Sequence, residues 1–407
     1  MSQRVVVTGM GLMSPIGNTL ELFWENLVNS RSGIRRPPNG EINFPIGFVE
    51  YDATAHFSKM SIAMKDRVSQ MALLAAASAA TQANLSHQLG ASAGVYFGTG
   101  MGGATTLEHA YSRFFGPGNR HEKLLVVPLA MANAPGSQVA MAYGVTGECQ
   151  TYSTACSSST VAIGEAMLRI RNGSIDIAMA GGTESMLLPG ALQSWSAMNV
   201  LCIPPKEAPE TGCRPFSSDR TGFAISEGAA VIVLEELDHA LARGATPLLE
   251  ILGYGLSNDA THITRPNPVG QAMAMRKALH DAKIGAREIG HINAHGTATV
   301  IGDETEARSI IDVFGEYMPP VTATKSIHGH AIGATGAIEF IAMALSLING
   351  KIPPTAHYTR DEKINIDVVH SNPRTLFGKN YALSNSFAFG GNNASLVASG
   401  WQQDNKF

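Results

Sequence analysis

Cys156 has the sequence setting of a nucleophilic thiol. It lies in the motif STACSSST, directly before a helical pattern. The first backbone N–H groups of a helix and the positive end of its dipole stabilise a thiolate and lower the pKa of the thiol. A buried cysteine that only fills space is the alternative. The other cysteines lack this setting and are interpreted as structural: Cys149, Cys202 and Cys213.

Two histidine motifs follow in the second half of the chain. His295 lies in NAHGTAT, directly after a short apolar strand, and TKSIHGH contains Lys325 and His330, with Glu339 in the next helix. Glycine-flanked histidines beside a lysine and a buried carboxylate favour a substrate site over two structural histidines. Metal ligation is disfavoured, because Lys325 would repel a cation and the acidic residues lack ligand spacing.

Two glycine-rich segments have different interpretations. The run GTGMGG, residues 98–103, matches neither GxGxxG nor GxxxxGK[ST], so close backbone packing is favoured over a phosphate loop. The run NSFAFGGNN, residues 385–393, predicts a tight turn whose backbone N–H groups could face a developing oxyanion.

The elements that must position these residues alternate between short β-branched runs and Ala-rich helical stretches, which indicates an α/β fold. Residues 156–173 and 333–350 align without a gap and both end in Asn-Gly, a helix stop. This pattern favours an internal duplication over a chance similarity. The segments 35–60, 101–135 and 193–218 are interpreted as irregular insertions. Strands are predicted at 4–8, 94–97, 175–180, 229–234, 289–294 and 393–398, and helices at 65–82, 157–171 and 337–349.

Composition excludes several classes of protein. The 407 residues carry 29 Lys and Arg against 33 Asp and Glu, a net charge of −4, so no overall basic field exists to bind nucleic acid or an anionic membrane. No apolar run is expected to approach the ~18 to 20 residues of a spanning helix. Four scattered cysteines do not form a disulfide framework, and we expect a cytoplasmic protein with reduced thiols.

Taken in order along the chain, the motifs TACSSS, NAHGTAT, TKSIHGH and FAFGG resemble those of the β-ketoacyl-acyl carrier protein synthases. The resemblance extends from RVVVTGMG near the N-terminus to the final glycine turn. It implies a thiolase-like five-layered αβαβα fold built from two similar halves. The first half would be residues 1–240, with the nucleophile, and the second residues 241–407, with the histidine pair.

The resemblance also implies roles for the residues. Cys156 would accept an acyl chain, and His295 and His330 would bind the carbonyl of a malonyl thioester while CO₂ leaves. Lys325 and Glu339 would support them. The reaction would be a decarboxylative Claisen condensation in fatty acid or polyketide chain elongation. Further residues implied are Asp303 as a supporting group, Cys156 and Phe389 for the oxyanion hole, Thr297 and Thr299 for the phosphopantetheine arm, and Met101, Trp195, Phe387 and Phe389 for the acyl pocket and its gate.

No cofactor or metal of the chain's own is implied, because phosphopantetheine arrives on acyl carrier protein. That carrier is the expected partner, together with a second copy of the chain or a chain-length factor. The pair Lys65 and Arg67, at the start of a helix, is our candidate for docking the acidic carrier. Asn392 and Ser217 depart from the family's usual threonine and aspartate, and TACSSS is common in polyketide synthases, so the pathway stays open.

Two related proteins with this fold are disfavoured. Thiolases use a second catalytic cysteine near the C-terminus, and no cysteine follows Cys213. A chain-length factor lacks the nucleophile, whereas Cys156 is present. The main alternative is therefore the ketosynthase subunit of a type II polyketide or polyene synthase, working with a chain-length factor. A further alternative is an α/β binding protein whose histidines are structural, in which case the presence of the whole Cys, His, Lys, His and Glu set would be a coincidence.

Overall fold

The computed structural model describes residues 3–37, 44–117, 124–376, 378 and 380–401. The described strands are β1 (Val5–Met13), β2 (Ile34–Arg35), β3 (Ile46–Gly47), β4 (Ala93–Gly98), β5 (Glu148–Tyr152), β6 (Ile177–Glu184), β7 (Ile225–Ser226), β8 (Gly228–Glu236), β9 (Leu249–Asn258), β10 (Ile289–Asn293), β11 (Val321–Thr322), β12 (Lys351–Ile352), β13 (Arg374–Thr375), β14 (Tyr381–Phe387) and β15 (Asn392–Gly400). The described helices are α1 (Leu20–Val28), α2 (Lys59–Ala63), α3 (Arg67–Gln82), α4 (Ala104–Phe115), α5 (Val126–Ala130), α6 (Ala134–Ala142), α7 (Ser158–Arg171), α8 (Pro189–Ala197), α9 (Leu237–Ala242), α10 (Pro268–Ala282), α11 (Val300–Phe314), α12 (Lys325–His328) and α13 (Thr335–Asn349).

The main sheet repeats one topology twice. Its order is β11-β10-β14-β15-β9-β1-β8-β6-β4-β5. Numbered within each half, five strands lie in the order 3-2-4-5-1 on both sides of the β9–β1 junction. The parallel and antiparallel pairings also correspond between the halves. The two halves expected from the sequence are therefore present, and the division expected at residue 240 falls within α9.

Helices α7 and α13 lie between the two five-stranded halves of the sheet. Helix α7 packs on β4 and β6, α13 packs on β8 and β14, and the two helices contact each other. Helix α3 covers the outer face of the first half and α10 that of the second. The result is the thiolase-like αβαβα layering, with the central helices buried on both faces.

Glycines bring the outer helices close to the sheet in both halves. A Cβ on Gly9 or Gly11 of β1 would lie 2.2 Å from a carbonyl oxygen of α3. A Cβ on Gly253 or Gly255 of β9 would lie 2.2 or 2.0 Å from a carbonyl oxygen of α10. No side chain larger than hydrogen fits at these contacts, and the same Gly-x-Gly pattern serves both halves.

The expectation that no apolar run approaches the length of a membrane-spanning helix is wrong for the central helix of the second half. The segment Ile332–Asn349 is long and apolar enough to span a membrane by length and composition, but 83% of it is buried inside the protein. It is the core helix of the second half. The segment 101–135 is also more regular than expected, since it contains α4 and α5. The predicted strands and helices are present, but β1 and β6 extend five and four residues beyond their predicted C-terminal ends.

Candidate active site

Cys156 is held at a turn directly before α7. The turn Ala155–Ser157 is a short 3₁₀ helix, and Ala155 has φ 51°, a conformation that non-glycine residues seldom adopt. The hydroxyl of Ser158 donates to the Ala155 carbonyl and accepts from the Thr154 N–H at 2.9 Å, which fixes the turn. The side chain of Cys156 is only 6% exposed. A serine of the motif STACSSST thus helps to build this turn.

His330 brings a ring nitrogen to the thiol from the other half of the chain. Its Nε2 lies 3.1 Å from Sγ of Cys156, and its Nδ1 lies 2.9 Å from the hydroxyl of Thr335, the first residue of α13. The backbone of His330 pairs with the segment on either side of Ile225, which fixes its position. Cys156, His330 and Thr335 therefore have the geometry expected of a nucleophile, a base within hydrogen-bond distance and a group that orients the base.

His295 lies beside His330. The two ring centroids are 5.5 Å apart. Nζ of Lys325 lies 3.3 Å from Nδ1 of His295, donates to its carbonyl oxygen and contacts both carboxylate oxygens of Glu339 at 2.8 Å. Lys325 and Glu339 are fully buried. The ammonium can only donate, so Nδ1 of His295 accepts and its Nε2 carries the proton.

Two carboxylates of α11 hold the loop that carries His295. Asp303, which the sequence predicted as a supporting group, accepts from the N–H groups of Ala298 and Phe216 at 3.0 and 2.6 Å. Glu306 accepts from the N–H groups of His295 and Gly296 at 2.8 and 2.7 Å. Glu306 was not predicted from the sequence motifs. Its position one helical turn after Asp303, on the same face of α11, was the available signal.

Two backbone donors converge on the thiol. The backbone N–H groups of Phe389 and of Cys156 itself lie near Sγ and lower the pKa of the thiol. Phe389 begins a turn in which Gly390 and Gly391 have φ of 79° and 73°, which favours glycine at both positions. The pair predicted as an oxyanion hole therefore lies beside the nucleophile, where a carbonyl oxygen bound to Sγ would develop charge.

Burial dominates the protonation of this site. It raises the pKa of Cys156 to about 12, although Lys325 and the Phe389 N–H oppose it. The lowered thiol pKa expected from the helix start is therefore wrong for the substrate-free site, because the loss of solvent outweighs the local N–H groups. Burial, with the charge of Lys325, also holds the pKa values of His295 and His330 well below the usual range. Both imidazoles are neutral at pH 7.

A cavity of ≈530 Å³ opens onto these groups. Thr297 and Thr299 line it, with their hydroxyl oxygens 3.0 Å apart. Its aromatic wall contains Trp195, on α8, which stacks against Phe389 at 6.2 Å and meets Phe223 edge-on. Phe387 lies edge-on to His295. The structure thus brings together most of the residues that the sequence singled out.

Two predicted residues lie elsewhere. Met101, predicted at the floor of the acyl pocket, is 58% exposed in the single chain and does not line this cavity. Arg67, predicted to dock a carrier protein with Lys65, forms a two-pronged ion pair with the buried carboxylate of Glu227. Its side chain is still 33% exposed, so docking of a carrier protein at this pair stays a prediction.

Cys156 and the two histidines also meet one geometric condition for metal binding, since one ligand atom from each lies within 4.8 Å of the others. The ammonium of Lys325 against His295 Nδ1 disfavours a cation there. The cluster is better suited to bind a polarised carbonyl oxygen.

The fold and this cluster define an acyl-transferring enzyme of the thiolase-like class. The sequence matches the β-ketoacyl synthase N-terminal domain over residues 2–240 and the C-terminal domain over residues 248–359. The chain belongs to the β-ketoacyl synthase family and is a condensing acyltransferase.

Similar proteins cover nearly the whole chain. It is 37% identical over 408 residues to 3-oxoacyl-[acyl-carrier-protein] synthase 2 of Staphylococcus aureus (strain COL), covering 97% of this chain and 98% of that protein. It is 38% identical to nodulation protein E of Rhizobium meliloti (strain 1021), covering 98% and 99%. Among solved structures, the ishigamide ketosynthase/chain length factor has a TM-score of 0.92 at 32% identity, covering 99% of this chain and 100% of that one.

Proposed function

We propose that the chain joins an acyl group, held as a thioester on Cys156, to the two-carbon unit of a malonyl group on acyl carrier protein, with release of CO₂. The observation that carries the proposal is the 3.1 Å contact between Cys156 Sγ and His330 Nε2, with His295 beside it. One cluster then holds a nucleophile, its base and a second hydrogen-bond donor.

Acyl transfer comes first. The thiol proton of Cys156 moves to Nε2 of His330 as Sγ attacks the thioester carbonyl of the acyl carrier. The N–H groups of Cys156 and Phe389 bind the oxyanion, and the carrier thiolate leaves with the proton from His330. Because the thiol proton moves to His330 during the attack, the reaction does not depend on a free Cys156 thiolate, which the high pKa of the buried thiol makes rare.

Condensation follows at the same groups. The bond between the malonyl α-carbon and its carboxylate breaks, CO₂ leaves, and the electron pair forms an enolate. The enolate oxygen accepts hydrogen bonds from Nε2–H of His295 and of His330. The α-carbon then bonds to the acyl carbon on Cys156, whose C–S bond breaks to release the thiolate, which takes up a proton. Neutral imidazoles suit this role because they donate without being consumed as acids.

Thr335 supports both roles of His330. Its hydroxyl can accept a hydrogen bond from Nδ1–H or donate one to unprotonated Nδ1. The first arrangement leaves Nε2 as a base for the Cys156 thiol. The second leaves Nε2–H as a donor for the enolate. One ring can therefore serve both half-reactions by exchange of tautomer.

The carrier's phosphopantetheine arm would enter through the cavity beside Thr297 and Thr299. Their hydroxyls can donate to the amide carbonyls of such an arm. The chain needs no cofactor of its own in this mechanism, because the arm belongs to the substrate. A cytoplasmic location is also part of the proposal, supported by the burial of the apolar segment Ile332–Asn349 inside the fold.

We further propose that the chain pairs with a second copy through the β5 edge. Among the described residues, β5 pairs with β4 on one side and ends the main sheet. The described part of the neighbouring α4 to α6 region exposes many large apolar side chains, and an edge strand next to such side chains favours association. Met101 lies on this surface, so a partner could complete an acyl pocket beyond it. The exposed residues are Met101, Tyr111, Phe114, Phe115, Leu124, Val127, Met131 and Met141.

A second candidate is a ketosynthase subunit that pairs with a chain-length factor in polyketide or polyene synthesis. The ketosynthase/chain length factor structure with a TM-score of 0.92 favours it. Reaction of the purified chain alone with a series of acyl-carrier substrates and malonyl-carrier protein, followed by mass spectrometry of the products, separates the two. Products from the chain alone support a self-sufficient enzyme. Products that require a co-expressed homologous subunit support the second candidate, and no condensation in either case rejects both.

A further inference from the structure

A buried carboxylate outside the reacting cluster ties together two segments of the active site. Glu184 ends β6 and is fully buried. Its Oε2 accepts from the N–H groups of Gly100 at 2.6 Å and Gly333 at 3.0 Å. Its Oε1 accepts from the Met101 N–H at 3.1 Å and lies 3.4 Å from the hydroxyl of Thr99. Four donors from two segments thus converge on one side chain.

The first segment is the loop that follows β4. The carbonyl of Gly100 accepts from the hydroxyl of Ser153, which belongs to the motif around the nucleophile. The second segment is the 3₁₀ turn Ile332–Ala334, which joins His330 to Thr335. The two segments touch backbone to backbone, since a Cβ on Gly333 would lie 2.4 Å from the Gly100 nitrogen.

The second segment is strained. Ile332 has φ 40°, in the left-handed region that a β-branched residue strongly disfavours, and it is buried. Such a conformation persists only where the surroundings constrain it. The bond from the Gly333 N–H to Glu184 is such a constraint, because it lies one residue after Ile332. The same turn sets the start of α13 and hence Thr335, which orients the ring of His330.

We propose that Glu184 is a positioning residue for condensation, which holds the turn 332–334 and the loop 99–101 so that His330 stays aligned with Cys156. This proposal rests on the proposed function of His330. Glu184 does not touch the reacting atoms. It acts through Gly333 and Thr335 on one side and through Gly100 on the other.

The role requires a group that only accepts hydrogen bonds. A glutamine of the same shape would present its amide NH₂ either to the Met101 N–H or to the Gly100 and Gly333 N–H groups. At least one buried N–H would then lose its acceptor, which is costly in the interior. Glu184→Gln therefore weakens the hydrogen bonds that hold the loop 99–101 and the turn 332–334, with a minimal change in volume.

The matched control is Glu235→Gln. Glu235 is also fully buried, on the adjacent strand β8, and it bonds to Thr8, His239 and Arg243 away from the cavity. Both variants lose a buried carboxylate, so their melting temperatures show the general cost. Only Glu184→Gln should lower kcat for condensation, on the order of 10- to 100-fold, with KM for malonyl-carrier protein within about twofold of the original. An equal loss of kcat in both variants, or none in Glu184→Gln, would overturn the proposal.

A crystal structure of Glu184→Gln tests, without any substrate, whether Glu184 holds the turn 332–334 and His330 in place. The expected change is that Ile332 leaves the left-handed region and His330 Nε2 moves out of hydrogen-bond distance of Sγ. An unchanged turn would overturn the proposal. If the unmodified enzyme forms no condensation product, the proposed function is wrong. The crystal structure of Glu184→Gln still decides whether Glu184 positions the turn and His330. Should Glu184→Gln not fold, Glu184→Asp keeps the charge but withdraws the oxygens, and the same kinetic and structural changes are expected.

Discussion

Nζ of Lys325 lies 3.3 Å from Nδ1 of His295, so the lysine fixes which nitrogen of that imidazole carries the proton. The same ammonium is held by Glu339, and both charges are fully buried. The pair keeps His295 neutral and presents Nε2–H to the cavity. The tautomer needed for an enolate donor is therefore built into the resting protein.

Removing Lys325 should affect condensation more than acyl transfer. In Lys325→Met, Nδ1 of His295 loses its donor, and Glu339 is left as a buried carboxylate without its ion partner. Loss of one partner of a buried pair typically costs about 3–5 kcal/mol. We expect a lower melting temperature by calorimetry and little condensation product, while the folded fraction still acylates Cys156. Full condensation activity in Lys325→Met would contradict this role.

The two histidines should be separable by half-reaction. His330 contacts Sγ of Cys156, whereas His295 contacts Lys325. His295→Ala should lower condensation by roughly 10²- to 10³-fold, as expected for one lost oxyanion donor, and leave acylation of Cys156 nearly intact. His330→Ala should slow both steps. Intact-protein mass spectrometry with an acyl carrier measures the first step, with Cys156→Ala as the blank, and equal acylation rates in the two variants would argue against the division.

Alkylation of Cys156 should report the effect of burial on its thiol. With a pKa of about 12, the thiolate fraction, and hence the alkylation rate, should rise about tenfold per pH unit from pH 7 to 10. Peptide mass spectrometry after treatment with iodoacetamide distinguishes Cys156 from the exposed Cys149. A rate that levels off below pH 8 would mean that the helix start, not burial, controls this thiol.

A buried histidine outside the reacting cluster should make the fold sensitive to acid. Burial lowers the pKa of His291 to about 3. In the unfolded chain the histidine pKa is near 6.5, so between about pH 6.5 and pH 3 the unfolded chain binds a proton that the folded protein does not. The free energy of unfolding is therefore highest above about pH 6.5 and decreases as the pH falls below that value. At pH 5 the loss is about 2 kcal/mol for this group.

His291→Leu tests this by chemical denaturation at pH 7.5 and pH 5. The variant should lose less stability between the two pH values than the original protein does. His280, which is exposed on α10, provides the control, since His280→Leu should leave the difference unchanged. Identical pH dependence in His291→Leu and the original would show that His291 does not cause the sensitivity.

The apolar surface beside β5 should mediate self-association. Phe115 is 79% exposed on α4 in the single chain, and Phe115→Asp would place a charge in an apolar contact. Light scattering coupled to gel filtration should show a dimer for the original protein and a monomer for Phe115→Asp. Leu241→Asp, on α9, is a surface control expected to remain dimeric. A dimeric Phe115→Asp would place the interface elsewhere.

The sequence predicted the reacting residues better than their surroundings. Cys156, His295 and His330 stand at helix starts or strand ends, which local patterns reveal. Strands β9 and β14 were missed because their Gly, Ser and Asn residues are polar or small, although they are buried by packing partners far away in the sequence. The ion pair of Arg67 with Glu227 and the position of Met101 outside the cavity of the single chain were not predicted for a related reason, because both depend on tertiary contacts that a local window does not contain.

The repeated strand order has a consequence for catalysis. Cys156 lies two residues before the start of α7 and His330 five residues before the start of α13, so each half places one of these two groups just ahead of its central helix. Duplicate structures have thus taken on complementary chemical tasks. The first half in isolation would carry a thiol without its base, and the second half would carry imidazoles without a thiol to attack the acyl donor. Two fragments obtained by cutting the chain between β8 and β9 could therefore turn over substrate only after they reassemble.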